Sequence, residues 1–297
     1  MSDAPTRDQL VQLERDVRKA LDTQDSRHLD IVGYGEVSVA LGWPAGENRY
    51  VCKRTPPGSQ HEIDAYAALI ASYIDQLAGI NVAVVPTDVV SVEREGGPVA
   101  YIVQPKRPAH TIADTVLRNE KPRTGHPLIE AIGEVAALAT ARMSVDAQAS
   151  NWAWADGRLE LLDVGSPFLW DEDGALELNI EPFLPFVPLP LRSAVRKELL
   201  KATLRWQHPR GVAIDFLAGL YRSDLAEWVP PAAETLNTML EPDEPLTAAE
   251  AEEIYREDLK MWPRLTKLQK AQRLWQTRVR RRPYEFFIAD SYSGEID

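Results

Sequence analysis

The stretch NWAWADGRLELLDVG, Asn151 to Gly165, decides how the rest of the chain is read. Two short apolar runs flank Asp156-Gly157, a dipeptide that favours a tight β-hairpin turn because both central residues need a positive φ. The open ends of that hairpin carry an amide, Asn151, and a carboxylate followed by glycine, Asp163-Val164-Gly165. Adjacent strands lie roughly 4.8 Å apart, so closing the turn brings two oxygen ligands near one point. A two-residue turn sets Asn151 opposite Leu162, and a one-residue bulge sets it opposite Asp163. Polar residues also end strands for no reason beyond solvation, so the hairpin has to be weighed with the rest of the chain.

Working outward, the N-terminal side is rich in strands. Residues 7–22 form an amphipathic pattern, with Leu10, Leu13, Val17 and Leu21 at three- and four-residue steps. Strands are expected at Leu29–Val32, Val37–Leu41 and Tyr50–Lys53, the first two joined through Gly33 and Gly35. A helix follows over Gln60–Leu77, its stripe made of Ile63, Tyr66, Ile70, Tyr73, Ile74 and Leu77. Two further β-rich runs, Val82–Val92 and Val99–Val103, are joined by Glu95-Gly96-Gly97.

After Gln104 the pattern turns helical, with segments at Thr111–Arg118 and Pro127–Met143 ahead of the hairpin. Beyond it come helices at Arg192–Gln207, Ala213–Leu220, Ala232–Leu240, Ala248–Lys260 and Leu265–Arg281. WQHPRG, residues 206–211, reads as a helix end and turn, with Arg210 and Asp215 as candidates to line an acceptor site. The fold class is therefore α+β, with a β-rich part and an α-rich part meeting near Gln104-Pro105.

Composition bounds the rest. An apolar content of 44% and a charged content of 26% are those of a globular protein. No apolar run approaches the roughly 20 residues of a membrane helix, and the N-terminus lacks the apolar core of a signal peptide, so a cytoplasmic location is expected. The single cysteine, Cys52, excludes an internal disulfide, and the five histidines have no zinc-ligand spacing. A net charge of −12 argues against a nucleic-acid coat protein. The charge is uneven, however: residues 260–297 hold nine Lys/Arg against four Asp/Glu, so this segment is +5 and the remainder −17. Such a tail docks on the acidic body or touches an anionic partner.

Five residues add chemistry to the hairpin. Gly33 and Gly35 in GYGEVS let backbone approach an anionic ligand. Lys53, on the face of Val51, can neutralise phosphate charge, and Glu62 at the start of the next helix can hold its ammonium. Asp146, five residues before Asn151, can accept a proton from a hydroxyl.

In this order the residues resemble the protein-kinase-like superfamily, nearer its aminoglycoside-phosphotransferase branches, over about Leu29 to Gly165. The resemblance implies a bilobal fold: an N-terminal helical extension (1–28), a small antiparallel sheet with one main helix as N-lobe (29–104), a helical C-lobe (105–259), and a basic C-terminal helix and tail (260–297). It implies ATP and Mg²⁺ as cofactors. Gly33, Gly35, Lys53 and Glu62 would serve the phosphates, the backbone near Gln104 the adenine, Asn151 and Asp163 the metal, and Asp146 catalysis. The implied function is phosphoryl transfer to a hydroxyl or similar group of a small molecule. Ser144 and Val145 stand where most of the family has histidine and then arginine or glycine. That departure motivates the alternative of a pseudokinase that binds nucleotide and regulates a partner without turnover. The basic run within 260–282 is the one hint of nucleic acid.

Overall fold

The computed structural model describes residues 4–34 and 38–288. Helix α1 (Arg7–Thr23) starts at a reciprocal cap, in which Thr6 accepts from the Gln9 N–H and the Gln9 side chain accepts from Thr6. Three strands follow, β1 (Ile31–Tyr34), β2 (Val39–Trp43) and β3 (Tyr50–Arg54), then helix α2 (Gln60–Gly79). Strands β4 (Ala83–Val84), β5 (Asp88–Val92) and β6 (Val99–Pro105) complete this part. Five strands make one antiparallel sheet in the order β1-β2-β3-β6-β5.

Register assigns the two faces of that sheet. Leu41, Cys52 and Val103 form one cross-strand row, and Val39, Arg54 and Tyr101 another. These rows lie beneath α1 and share a core with Leu10, Val17 and Ala20. Because side chains alternate, the opposite face carries the row Gly33, Ala40, Lys53 and Ile102, with Val51 and Gln104 beside it. Lys53 therefore points away from α1.

The α-rich part contains α3 (Ala113–Arg118), α4 (Pro127–Ala137), hairpin strands β7 (Trp152–Ala155) and β8 (Arg158–Leu161), and helices α5 (Arg192–Thr203), α6 (Pro209–Arg222), α7 (Val229–Leu240) and α8 (Ala248–Leu274). Helix α6 is buried from Gly211 through Leu220 and forms the spine of the larger core, with α4 and α7 against it. That core runs continuously into α2 through Ile70, Tyr73 and Leu77.

Several boundaries differ from expectation. The Val82–Val92 run splits around Pro86; β4 leaves the large sheet and pairs in parallel with β8, Ala83 opposite Glu160. Helix α4 stops at Ala137 rather than Met143. There the Thr140 hydroxyl accepts from the N–H groups of Arg142 and Met143, satisfying them outside a helix. The two expected C-terminal helices are one: α8 passes through Pro263, which has no N–H to give to the helix. This helix runs across the expected boundary at residue 260. WQHPRG contains a short 3₁₀ turn and then the start of α6, with Pro209 in its first turn.

Candidate functional site

The hairpin closes with two residues. Asp156 and Gly157 have φ of 52° and 73°, the values a primed turn requires. Ala155 pairs with Arg158 and Trp152 with Leu161. One step further, the Leu162 N–H donates to the Asn151 carbonyl at 2.8 Å. Asn151 thus sits opposite Leu162, with Asp163 one residue beyond and no bulge between. The same strand anchors the preceding loop: buried Trp152 donates from its indole Nε1 to the Asp146 carbonyl at 2.9 Å. The Asp146 carboxylate accepts the Gln148 N–H at 2.9 Å. Tyr73 of α2 donates to the Ser144 carbonyl at 2.8 Å, and the Ser144 N–H donates to the Phe168 carbonyl at 3.0 Å.

The sheet meets this loop through Lys53, whose Nζ lies 2.6 Å from Asp163 Oδ2. Gly165 lets them approach. A Cβ there would stand 3.1 Å from Asp163 Oδ1 and 3.5 Å from Lys53 Cδ and Ile102 Cδ1. Its carbonyl accepts the Tyr66 hydroxyl at 2.7 Å, and the Phe183 ring meets Tyr66 edge-on with centroids 6.3 Å apart. Lys53, Tyr66, Ile102, Asp163 and Phe183 line a cavity of about 60 Å³.

The carboxylates here have opposite protonation tendencies. Burial pushes Asp163 up, but the Lys53 charge and hydrogen bond and the Gly165 N–H outweigh it, leaving a pKa below the usual carboxylate range. Asp146 is pushed up to about 7, first by burial, then by Asp215 and Asp163, with the Gln148 N–H and Arg222 opposing. Asp215, buried in α6, sits 3.6 Å from Arg222 and 3.9 Å from Arg205.

The expected site residues fare differently. Lys53 and Asp163 are joined directly; the Asp163 charge bears on Asp146, and Asn151 pairs across the hairpin with Leu162, the residue before Asp163. Gly33 lies in the Lys53 row, and Gly35 falls outside the described residues. Gln104 shares the Lys53 face and donates its side-chain N–H to Thr87 at 2.9 Å. Glu62 is a correction. It does not hold Lys53; its carboxylate accepts the Ser59 N–H at 2.7 Å and the Ser59 hydroxyl at 2.8 Å, closing the N-terminal cap of α2. Only eight residues separate Lys53 and Glu62, and the turn at Pro56-Pro57-Gly58 uses them up before the helix has advanced toward the lysine. Arg210 is bound bidentately by Glu250 at 2.9 and 2.7 Å, away from this cluster, whereas Asp215 belongs to it. Tyr66 and Tyr73 were visible in the sequence only as members of the α2 stripe, and nothing there marked their hydroxyls as clasps on Gly165 and Ser144.

Oxygen donors suit Mg²⁺, which takes few protein ligands and fills its shell with water and phosphate. Asn151 and Asp163 make such a pair: no hydrogen bond among the described residues uses the Asn151 side-chain amide. Groups of three or more His, Cys, Asp or Glu with metal-binding geometry do not occur among the described residues. Comparison with curated proteins finds no match. Residues 12–273 match the profile described as a family of unknown function (DUF6206), and the chain belongs to that family.

Proposed function

We propose that the cleft between the Lys53 face of the sheet and the Asp146–Asp163 loop is a phosphoryl-transfer site of protein-kinase-like type. It would use ATP with Mg²⁺ and a hydroxyl-bearing small molecule. The observation that carries this reading is the Lys53–Asp163 pair at 2.6 Å, formed between the sheet and the residue just past the hairpin. The strand order β1-β2-β3-β6-β5, with α2 between β3 and β5, supports the bilobal architecture that the resemblance implies. Asn151 and Asp163 would hold Mg²⁺, which supplies charge neutralisation for the phosphates. Lys53 would turn from Asp163 toward phosphate oxygens, and Gln104 lies on the same face to meet the base. Asp146 would orient the acceptor hydroxyl and take its proton as the new P–O bond forms and the bond to the leaving diphosphate breaks.

The missing family histidine is offset in this chain. Tyr73 on the Ser144 carbonyl and Trp152 on the Asp146 carbonyl brace the loop that a histidine would support. This favours turnover over a purely nucleotide-binding role. Ser144 and Val145, in place of the histidine and the arginine or glycine of that superfamily, are what favour the pseudokinase alternative.

Thermal unfolding with ATP, with and without Mg²⁺, tests the site. A Mg²⁺-dependent rise that Lys53→Met and Asp163→Asn abolish is expected, and no shift with either ligand would remove both readings. ATP consumption across a metabolite panel, with Asp146→Asn as control, then separates them: binding without turnover leaves only the pseudokinase.

A further inference from the structure

We propose that the C-terminal end of α8 is a docking surface for an anionic lipid bilayer. The inference stands apart from any nucleotide chemistry. It begins with an inversion of polarity. In the last turns of α8 the most deeply buried residues are glutamines: Gln269 and Gln272 are each 6% exposed, with Leu265 and Leu268 half-buried beside them. The residues facing out are apolar: Leu274 and Trp275 are each 53% exposed and Val279 59%. A helix whose only task was to cover the body would be expected to turn the other way, because burying apolar area is what stabilises such packing. Trp275–Val279 continues α8 as a π turn, with the Arg280 N–H bonded to the Trp275 carbonyl at 3.0 Å. The apolar stripe is carried on that turn.

Charge surrounds the stripe. Arg278, Arg280, Arg281 and Arg282 are all exposed, and among the described residues none has a carboxylate at ion-pair distance. The only acidic side chain within residues 260–288 is Glu285, and it is turned inward. Its carboxylate lies 3.0 Å from Arg54 and 3.1 Å from Arg94. Arg192 stands close enough to Arg280 to feel its charge, and the exposed Leu189 and Leu191 precede Arg192. Immediately after the arginines the chain is pinned: Tyr284 and Phe286 are buried against Phe186 and Val187. The tail thus docks through its aromatic residues and leaves Arg278, Arg280, Arg281 and Arg282 in solvent.

Indole, aliphatic and guanidinium groups mixed on one exposed helix face are the chemistry of an interfacial anchor. Basic residues near an anionic leaflet each raise partition about fivefold, an interaction confined to about a Debye length. The local positive sign therefore governs even though the whole chain is −12. A single-stranded nucleic acid would call for several aromatic platforms. Here one indole stands among aliphatic neighbours, which favours lipid.

The test is flotation of the full chain with vesicles of phosphatidylcholine alone or mixed with phosphatidylserine. Flotation only with phosphatidylserine, reversed by salt, is expected. Replacing the four arginines by serine should weaken partition by about a hundredfold or more, and Leu274→Ser with Trp275→Ser by at least about tenfold. These side chains are exposed, so circular dichroism and the melting temperature should match the parent and exclude misfolding. Absence of flotation, equal flotation with both vesicles, or an arginine variant that floats like the parent would each overturn the proposal. Tight binding of single-stranded RNA without flotation would reassign the surface to nucleic acid.

Discussion

Lys53 and Arg54 are neighbours on one strand, and alternation sends them to opposite faces with opposite physical fates. Lys53 is 24% exposed at the side chain and holds one carboxylate, Asp163, across a cleft. Arg54 is 3% exposed and lies beneath α1, bonded bidentately to Glu14 at 2.7 and 2.9 Å and to Glu285 at 3.0 Å. Tyr101 donates to Glu14 at 2.8 Å, and Arg94 joins at ion-pair distance to both carboxylates. Burial works against the Arg54 charge, and Glu14 more than restores it. The buried cluster links α1, the sheet and the C-terminal tail, and it has no access for a ligand. The cleft pair is within reach of solvent, so another anion can take the place of Asp163 at the ammonium. Two ion pairs in one strand therefore differ in kind: one holds elements together, the other can exchange.

The largest expected effect is on the buried side. Arg54→Ala leaves Glu14 and Glu285 facing each other without their main cation and should lower stability by about 3–5 kcal/mol, read by urea unfolding. If the loss is no greater than for Lys53→Met, the contrast between the two faces is wrong.

The next effect is a pH signature. Asp146 has its pKa raised from 3.8 to about 7, so between those values the native state holds a proton that the unfolded state has lost. Stability attributable to this group therefore falls as pH rises through that window. Asp146→Asn should raise the melting temperature above pH 7 and leave it nearly unchanged near pH 4. Asp163 has the opposite sign: its lowered pKa contributes stability above the unfolded value that is lost on acidification. A melting temperature of Asp146→Asn that tracks the parent at every pH would remove the assignment of Asp146 as the strained carboxylate.

Glu62→Ala comes third. Removing half of the α2 capping box should cost about 1 kcal/mol and leave any nucleotide affinity intact. A loss of affinity with unchanged stability would return Glu62 to the Lys53 partnership that the sequence suggested. The smallest stability change belongs to Lys53→Met, within about 1 kcal/mol because the pair is partly solvated. Chemical denaturation and nucleotide titration of this one variant sharpen the comparison: little change in the first and a large change in the second.

How much was legible follows from the range of each interaction. The Asp156-Gly157 turn is a local matter, since two positive φ values select those residues, and the two-residue register then follows from the pairing. Strand order along the chain and the 3.6-residue stripe of α2 were likewise readable. Glu62 goes to Ser59 rather than Lys53 because the serine three residues earlier is the nearer and stronger claimant. Asp215 sat in an apolar run with no sign of its target, Asp146, some seventy residues upstream. The Glu14–Arg54–Arg94–Glu285 cluster contains hydrogen bonds between residues up to 231 positions apart, beyond the reach of any local pattern.

The sequence by itself determined the α+β character, the hairpin, that Lys53 shares a face with Val51 and the unequal spread of charge, because propensity, periodicity and turn chemistry act within a few residues. Only the tertiary structure decided which carboxylate takes Lys53, which arginine is buried, and that α8 turns its glutamines inward and its indole out. Those outcomes depend on competition among partners distant in sequence, settled by burial and distance rather than by spacing.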